Sequence, residues 1–148
     1  MSLEKEIMNQ IKIAMKAKDT NALESLRAVK SAILLEKTKQ AGKELTEADE
    51  LKIVQKLVKQ RKDSADIYIG QNRQDLAGVE LAQAEVIAQF LPKQMTKEEI
   101  AEAVNAIIAK VGATSMKDMG KVMGMASKEL AGKADGKTIS MLVKEKLA

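Results

Sequence analysis

The sequence predicts an all-α protein, a four-helix N-terminal bundle followed by a smaller three-helix C-terminal domain. Three observations lead there. The composition is 45% hydrophobic and 31% charged, with one Phe, one Tyr and no Trp, so the core must be aliphatic, a composition that suits helix packing better than sheet. Apolar residues recur three and four apart along the chain, the period of one helix face. The only proline lies within Gln89-Phe90-Leu91-Pro92-Lys93-Gln94-Met95, where it removes a backbone donor and pushes Leu91 out of the helical region.

Taken in order, residues 3–18 place Leu3, Ile7, Ile11 and Met15 at four-residue intervals, one apolar stripe. Asp19-Thr20-Asn21 is a turn, and Asn21 with Glu24 caps a second helix running to about residue 40. Leu23, Leu26, Val29, Ile33 and Leu34 are its expected core side, and Gly42 terminates it. Thr46 with Asp49 opens a third helix with a stripe of Leu51, Val54, Val58, Ala65 and Tyr68, flanked by Ile53, Leu57 and Ile67. Gly70 ends it. Asn72 with Asp75 starts a fourth, bearing Leu76, Val79, Val86, Ile87, Phe90 and Leu91, which stops at Pro92. Long helices joined by short turns predict antiparallel neighbours.

After the proline, Thr96 and Glu99 form a capping box, and Met95 with Ile100 a hydrophobic staple. That helix carries Val104, Ile107 and Ile108 and stops at Gly112. A box over Ser115–Asp118 opens the next, with Met119, Val122, Met123 and Leu130, closed by Gly132. Asp135 caps a last one bearing Ile139, Leu142, Val143 and Leu147. The expected division is a bundle over 1–92 and a three-helix domain over 93–148. The competing reading makes the proline an ordinary corner inside one domain.

The absences narrow the chemistry. With no Cys and no His, thiol nucleophiles, disulfides, histidine bases and Cys/His metal ligation are excluded. No catalytic residue, metal site or cofactor site is marked. The chain begins with charged residues and has no apolar run of about 20 residues, so the expectation is a cytoplasmic protein without a membrane partner. The net charge of +4 falls mostly in residues 92–148, which favours an anionic partner there.

Four stretches carry possible functions. In Gly120-Lys121-Val122-Met123-Gly124-Met125, two glycines four apart admit either another helix or an RNA phosphate beside Lys121. Gly132-Lys133-Ala134-Asp135-Gly136-Lys137 precedes a helix, so it reads as a phosphate-binding turn or as a plain corner with Gly132 as terminator and Asp135 as cap. It lacks the nucleotide-loop pattern. Lys59-Gln60-Arg61-Lys62-Asp63-Ser64 is a basic face or a self-paired one, in which Glu80 or Glu85 would answer Arg73 or Lys59. Met116, Met119, Met123 and Met125 form a partner-binding surface or fill a core without aromatics.

Several of these segments, in order, resemble the GatB/YqeY family, and in particular its small stand-alone YqeY-like proteins. The resemblance rests on Leu26-Arg27-Ala28-Val29-Lys30-Ser31-Ala32-Ile33, Lys59-Gln60-Arg61-Lys62-Asp63-Ser64 with Tyr68, and Arg73-Gln74-Asp75-Leu76 with Glu80. It continues through Phe90-Leu91-Pro92-Lys93-Gln94-Met95, Asp118-Met119-Gly120-Lys121-Val122-Met123 and Gly132-Lys133-Ala134-Asp135-Gly136. Phe90 stands where the family more often has Tyr, and Lys133 where it more often has Arg, which exchanges bidentate phosphate recognition for a point charge. The resemblance implies kinship with the tail of the B subunit of glutamyl/aspartyl-tRNA amidotransferase, a carbon–nitrogen ligase with glutamine as amido-N-donor. That tail helps hold tRNA, while the chemistry resides elsewhere in the complex. By position it implies Lys121, Lys133 and Lys137 as RNA-binding residues, and helical proximity adds Lys128. The expected role is a non-catalytic tRNA-binding module with tRNA, and possible amidotransferase subunits, as partners. The rival role is a protein–protein interaction adaptor using the Met-rich helical surface.

Overall fold

The computed structural model describes residues 2–42 and 44–148. Among them the chain is all-helical: α1 (Leu3–Ala17), α2 (Thr20–Lys39), α3 (Glu47–Gly70), α4 (Gln74–Ala88), α5 (Lys97–Val111), a 3-10 turn (Met116–Asp118), α6 (Met119–Glu129) and α7 (Gly136–Leu147). Contacts group the chain into two compact units, Met1–Leu91 and Pro92–Ala148.

In the first unit α1 and α2 are joined by Lys18, in the left-handed conformation at φ 56°, and Asp19. The Asp19 carboxylate accepts a hydrogen bond from the Ala22 amide at 3.0 Å, so Asp19 and not Asn21 caps α2. Its reach is right because it immediately precedes the helix, whereas Asn21 already has helical partners. Lys37 near the end of α2 donates to Glu4 near the start of α1 at 2.8 Å, which fixes the pair as antiparallel. The α3–α4 hairpin turns through Asn72, also left-handed at φ 59°. Asn72 therefore makes the turn and does not cap α4. Arg73 takes the cap position without a side-chain cap bond, and its guanidinium grips Asp75 instead. At Thr46 the sequence expectation and the structure agree, with a reciprocal box between Thr46 and Asp49.

The first core is built around Ile7, Leu26, Val29, Ile33, Val54 and Ile87, all nearly or fully buried. Large apolar residues misled the sequence reading at four places: Met15, Leu34, Ile67 and Val79 are 56%, 51%, 61% and 50% exposed. The reason is geometric. Four-residue steps overshoot a full turn by about 40° each, so a stripe begun at Leu3 has rotated off the core by Met15, and Ala14 takes the buried place. Alanines complete the other helices as well. Ala65, Ala77 and Ala84 are buried, and such small side chains let α3 and α4 close on one another. The helix α4 ends at Ala88, after which two further turns of hydrogen bonding, Phe90 N to Ile87 O and Leu91 N to Ala88 O, lead to Pro92.

In the second unit Thr96 accepts from the Glu99 amide at 3.1 Å and starts α5, which buries Ile100, Val104 and Ile107. Met95 packs against the same cluster. Gly112 ends α5 at φ 68°, a conformation that costs other residues about 1 kcal/mol or more. The expected box at Ser115 is divided between two short devices. Ser115 Oγ accepts from Lys117 N at 3.4 Å, while Asp118 accepts from Thr114 N at 3.0 Å, and together they wind the 3-10 turn ahead of α6. Helices α6 and α7 then bury Val122, Ala126, Ile139, Leu142 and Val143.

Candidate nucleic-acid interface

The second unit places the four expected lysines on two features. Lys121 and Lys128 project from the exposed side of α6, seven residues apart and therefore on one face, about 10 Å along the axis. Lys133 lies in the corner between α6 and α7, and Lys137 in the first turn of α7. All four are exposed, and among the described residues none forms an ion pair. Lys110 differs, since it meets Glu129 at 3.6 Å.

The corner is held by its backbone. Gln94 Nε2 donates to the carbonyls of Pro92 at 2.8 Å and Gly132 at 2.7 Å, and Met95 N donates to the Lys133 carbonyl at 2.9 Å. The segment after the proline is thereby tied to the turn between α6 and α7. Lys133 is thus fixed at its backbone and free at its charge. The turn itself is not an open phosphate cradle. The Lys133 and Ala134 amides donate to Leu130 O, Gly132 adopts φ 77°, and Asp135 accepts from the Thr138 amide at 2.6 Å. A carboxylate already sits at the start of α7, where its charge opposes a second anion. Any attraction for phosphate at this corner comes from the lysine side chains.

Gly120 and Gly124 answer a different expectation. Both are exposed, and a Cβ added at either meets no atom within 4 Å. Among the described residues of the C-terminal unit, they therefore do not admit a neighbouring helix. They leave a bare ridge on α6 bordered by Lys121 and Lys128, on the side opposite the buried Val122 and Ala126. The methionines resolve the other way. Met119, Met123 and Met125 pack against the core cluster, while Met116 is 44% exposed, so no continuous methionine surface remains there. A hollow of about 540 Å³ between α5 and α7, lined by Lys97, Glu98, Glu145 and Lys146, contains none of the four lysines.

In the first unit, the basic stretch of α3 is partly self-paired, with Lys59 meeting its neighbour Asp63 at 3.8 Å. Arg73 is answered by Asp75 at 3.0 Å, not by Glu80 or Glu85. This pairing lowers the Asp75 carboxyl below the ordinary value and raises the Arg73 guanidinium. Arg61, within the same stretch, projects away from the face of Lys59 and Lys62. It lies on the inner stripe with Val54, Val58 and Ala65, and its Nε is buried without a hydrogen-bond partner among the described residues. Its place three residues after Val58 and four before Ala65, both buried, was the available signal. No group of three or more acidic residues among the described residues is arranged to hold a metal, and no described helix is long and apolar enough to cross a membrane.

The class defined by these features is an all-helical protein with a cationic, glycine-bearing surface on its C-terminal unit. A family model for YqeY-like proteins matches residues 4–147, and the chain belongs to that family. Among curated proteins, it is similar to altered inheritance of mitochondria protein 41, mitochondrial, of Vanderwaltozyma polyspora. The two are 32% identical over 122 residues, covering 76% of this chain and 64% of that protein. The chain thus spans less than two thirds of the length of this relative.

Proposed function

We propose that this chain is a non-catalytic tRNA-binding module whose C-terminal unit grips phosphates through Lys121, Lys128, Lys133 and Lys137. The observation that carries the reading is the set of four exposed lysines without ion pairs among the described residues, two of them beside the bare α6 ridge. Phosphate contacts of this kind supply affinity and register with little base discrimination. The scarcity of aromatic side chains argues against base stacking, so folded RNA suits the surface better than a single strand. Kinship with the amidotransferase tail makes an amidotransferase a candidate partner that would supply the chemistry.

The reading includes a domain division. The four helices up to Pro92 and the three beyond it act as separate domains, over 1–92 and 93–148, and the second carries the RNA contacts. Cytoplasm is the compartment the sequence favours. The relative's name places that protein in mitochondria, and tRNA is present in both. The test is a salt titration of tRNA binding by Lys133→Ala. The expected result is weaker binding across different tRNAs, with the slope of log affinity against log salt reduced by about one unit. An unchanged slope and affinity would remove Lys133 from the interface.

A further inference from the structure

The first unit carries a surface that tRNA binding leaves unused. Between α1 and α2 lies an open groove of about 450 Å³. Ile7 and Ile33, both 1% exposed, form its floor, and Met8, 39% exposed, forms part of its wall. The apolar strip extends past the groove. Met15 lies two turns from Met8 on the same face of α1 and is 56% exposed, and Leu34, next to the groove-lining Ile33 on α2, is 51% exposed. A strip of this length, about 10 Å past Met8, exceeds what a small ligand covers and suits a helix laid into a groove.

Charge selects the occupant. Lys5 and Lys30 line the groove, are exposed, and form no ion pair among the described residues. Lys12 stands one turn from Met8 on the same side of α1. The one acid in the lining, Glu4, is already bonded to Lys37 at 2.8 Å. The groove therefore offers an aliphatic floor between unneutralised cations. A nucleic acid finds nothing on that floor to stack on or hydrogen-bond with. We propose that the α1–α2 groove docks an amphipathic helix of a partner protein whose apolar stripe is flanked by acidic residues.

The experiment uses the full chain and a labelled peptide of about five helical turns, with leucines at helical spacing flanked by glutamates, followed by fluorescence anisotropy. A counterpart with lysines in place of the glutamates is the control. The glutamate peptide should bind, and the lysine peptide should bind at least about tenfold more weakly. Met8→Asp, and separately Lys5→Glu with Lys30→Glu, should each weaken the glutamate peptide by about tenfold or more. These positions are exposed, and circular dichroism checks that the variants keep their helices. Equal binding of the two peptides, no binding of either, or binding indifferent to both variants overturns the proposal. So does self-association in sedimentation that Met8→Asp abolishes, which makes the occupant a second copy. Capture by phosphatidylglycerol vesicles without peptide binding assigns the groove to a lipid surface and equally refutes it.

Discussion

Replacing Gly124 by Ala should stabilise the protein, and the size of the effect reports on how it unfolds. Gly124 is the sixth of eleven residues in α6, is exposed, and has no atom within 4 Å of the position an added Cβ would take. Nothing among the described residues opposes the methyl group. The gain is then the helix-propensity difference, about 1 kcal/mol, most of it from the reduced freedom of the unfolded chain. If the C-terminal unit unfolds by itself, 1 kcal/mol raises its melting temperature by about 4–8 °C; if all 148 residues unfold together, the rise is about 2–4 °C. Thermal melts followed by circular dichroism and by calorimetry read both quantities. A melting temperature that is unchanged or lower refutes the reasoning, because it means the outer side of α6 is not open. The same variant has a second readout. If the ridge lets RNA approach, the added methyl reduces tRNA affinity while stability rises, whereas unchanged affinity leaves the lysines in the interface without the ridge.

Two further predictions concern the first unit. Arg61→Met should raise stability by about 1 kcal/mol in urea unfolding, because it removes a buried nitrogen without a partner while keeping the aliphatic stem; a loss of that size would mean the guanidinium has an essential partner. Burial, then the neighbouring Glu4 and Glu47, push the Glu50 carboxyl above its ordinary value. The folded chain thus holds that proton more tightly than the unfolded chain, so its contribution to stability is full below the ordinary glutamate range and is lost as pH rises through the raised value. Glu50→Gln should therefore melt higher than the parent at neutral pH, with the advantage shrinking as pH falls through the raised value and gone below about 4; an advantage independent of pH would contradict the assignment.

The helices and most of their stops were readable in the sequence because they follow from short-range chemistry. Thr46, Thr96 and Asp135 cap the helices expected of them, and Gly112 ends α5. Failures came where two signals competed at close range. Asp19 and Asn21 both favour caps, and only the position of the first helical turn decides between them. Asn72 was read as a cap because it is a good one, but the two-helix hairpin needs a left-handed residue there more than a cap. Buried alanines such as Ala77 and Ala84 were passed over for Val79, since hydrophobic size says little about which face a tight helix pair will close on. At the candidate interface, the lysines could be named from the sequence, and their lack of ion pairs could not. Asp135 was readable as the cap of α7, and the 2.6 Å bond from the Thr138 amide decides for the cap over an open phosphate cradle.

The central claim is that the C-terminal lysines hold tRNA, and anisotropy of labelled tRNA against the full chain at several salt concentrations tests it most directly. The account predicts binding that falls steeply with salt and is largely lost when Lys121, Lys133 and Lys137 are replaced together by Ala. Flat anisotropy at low salt, or equal affinity of the triple variant, would contradict it.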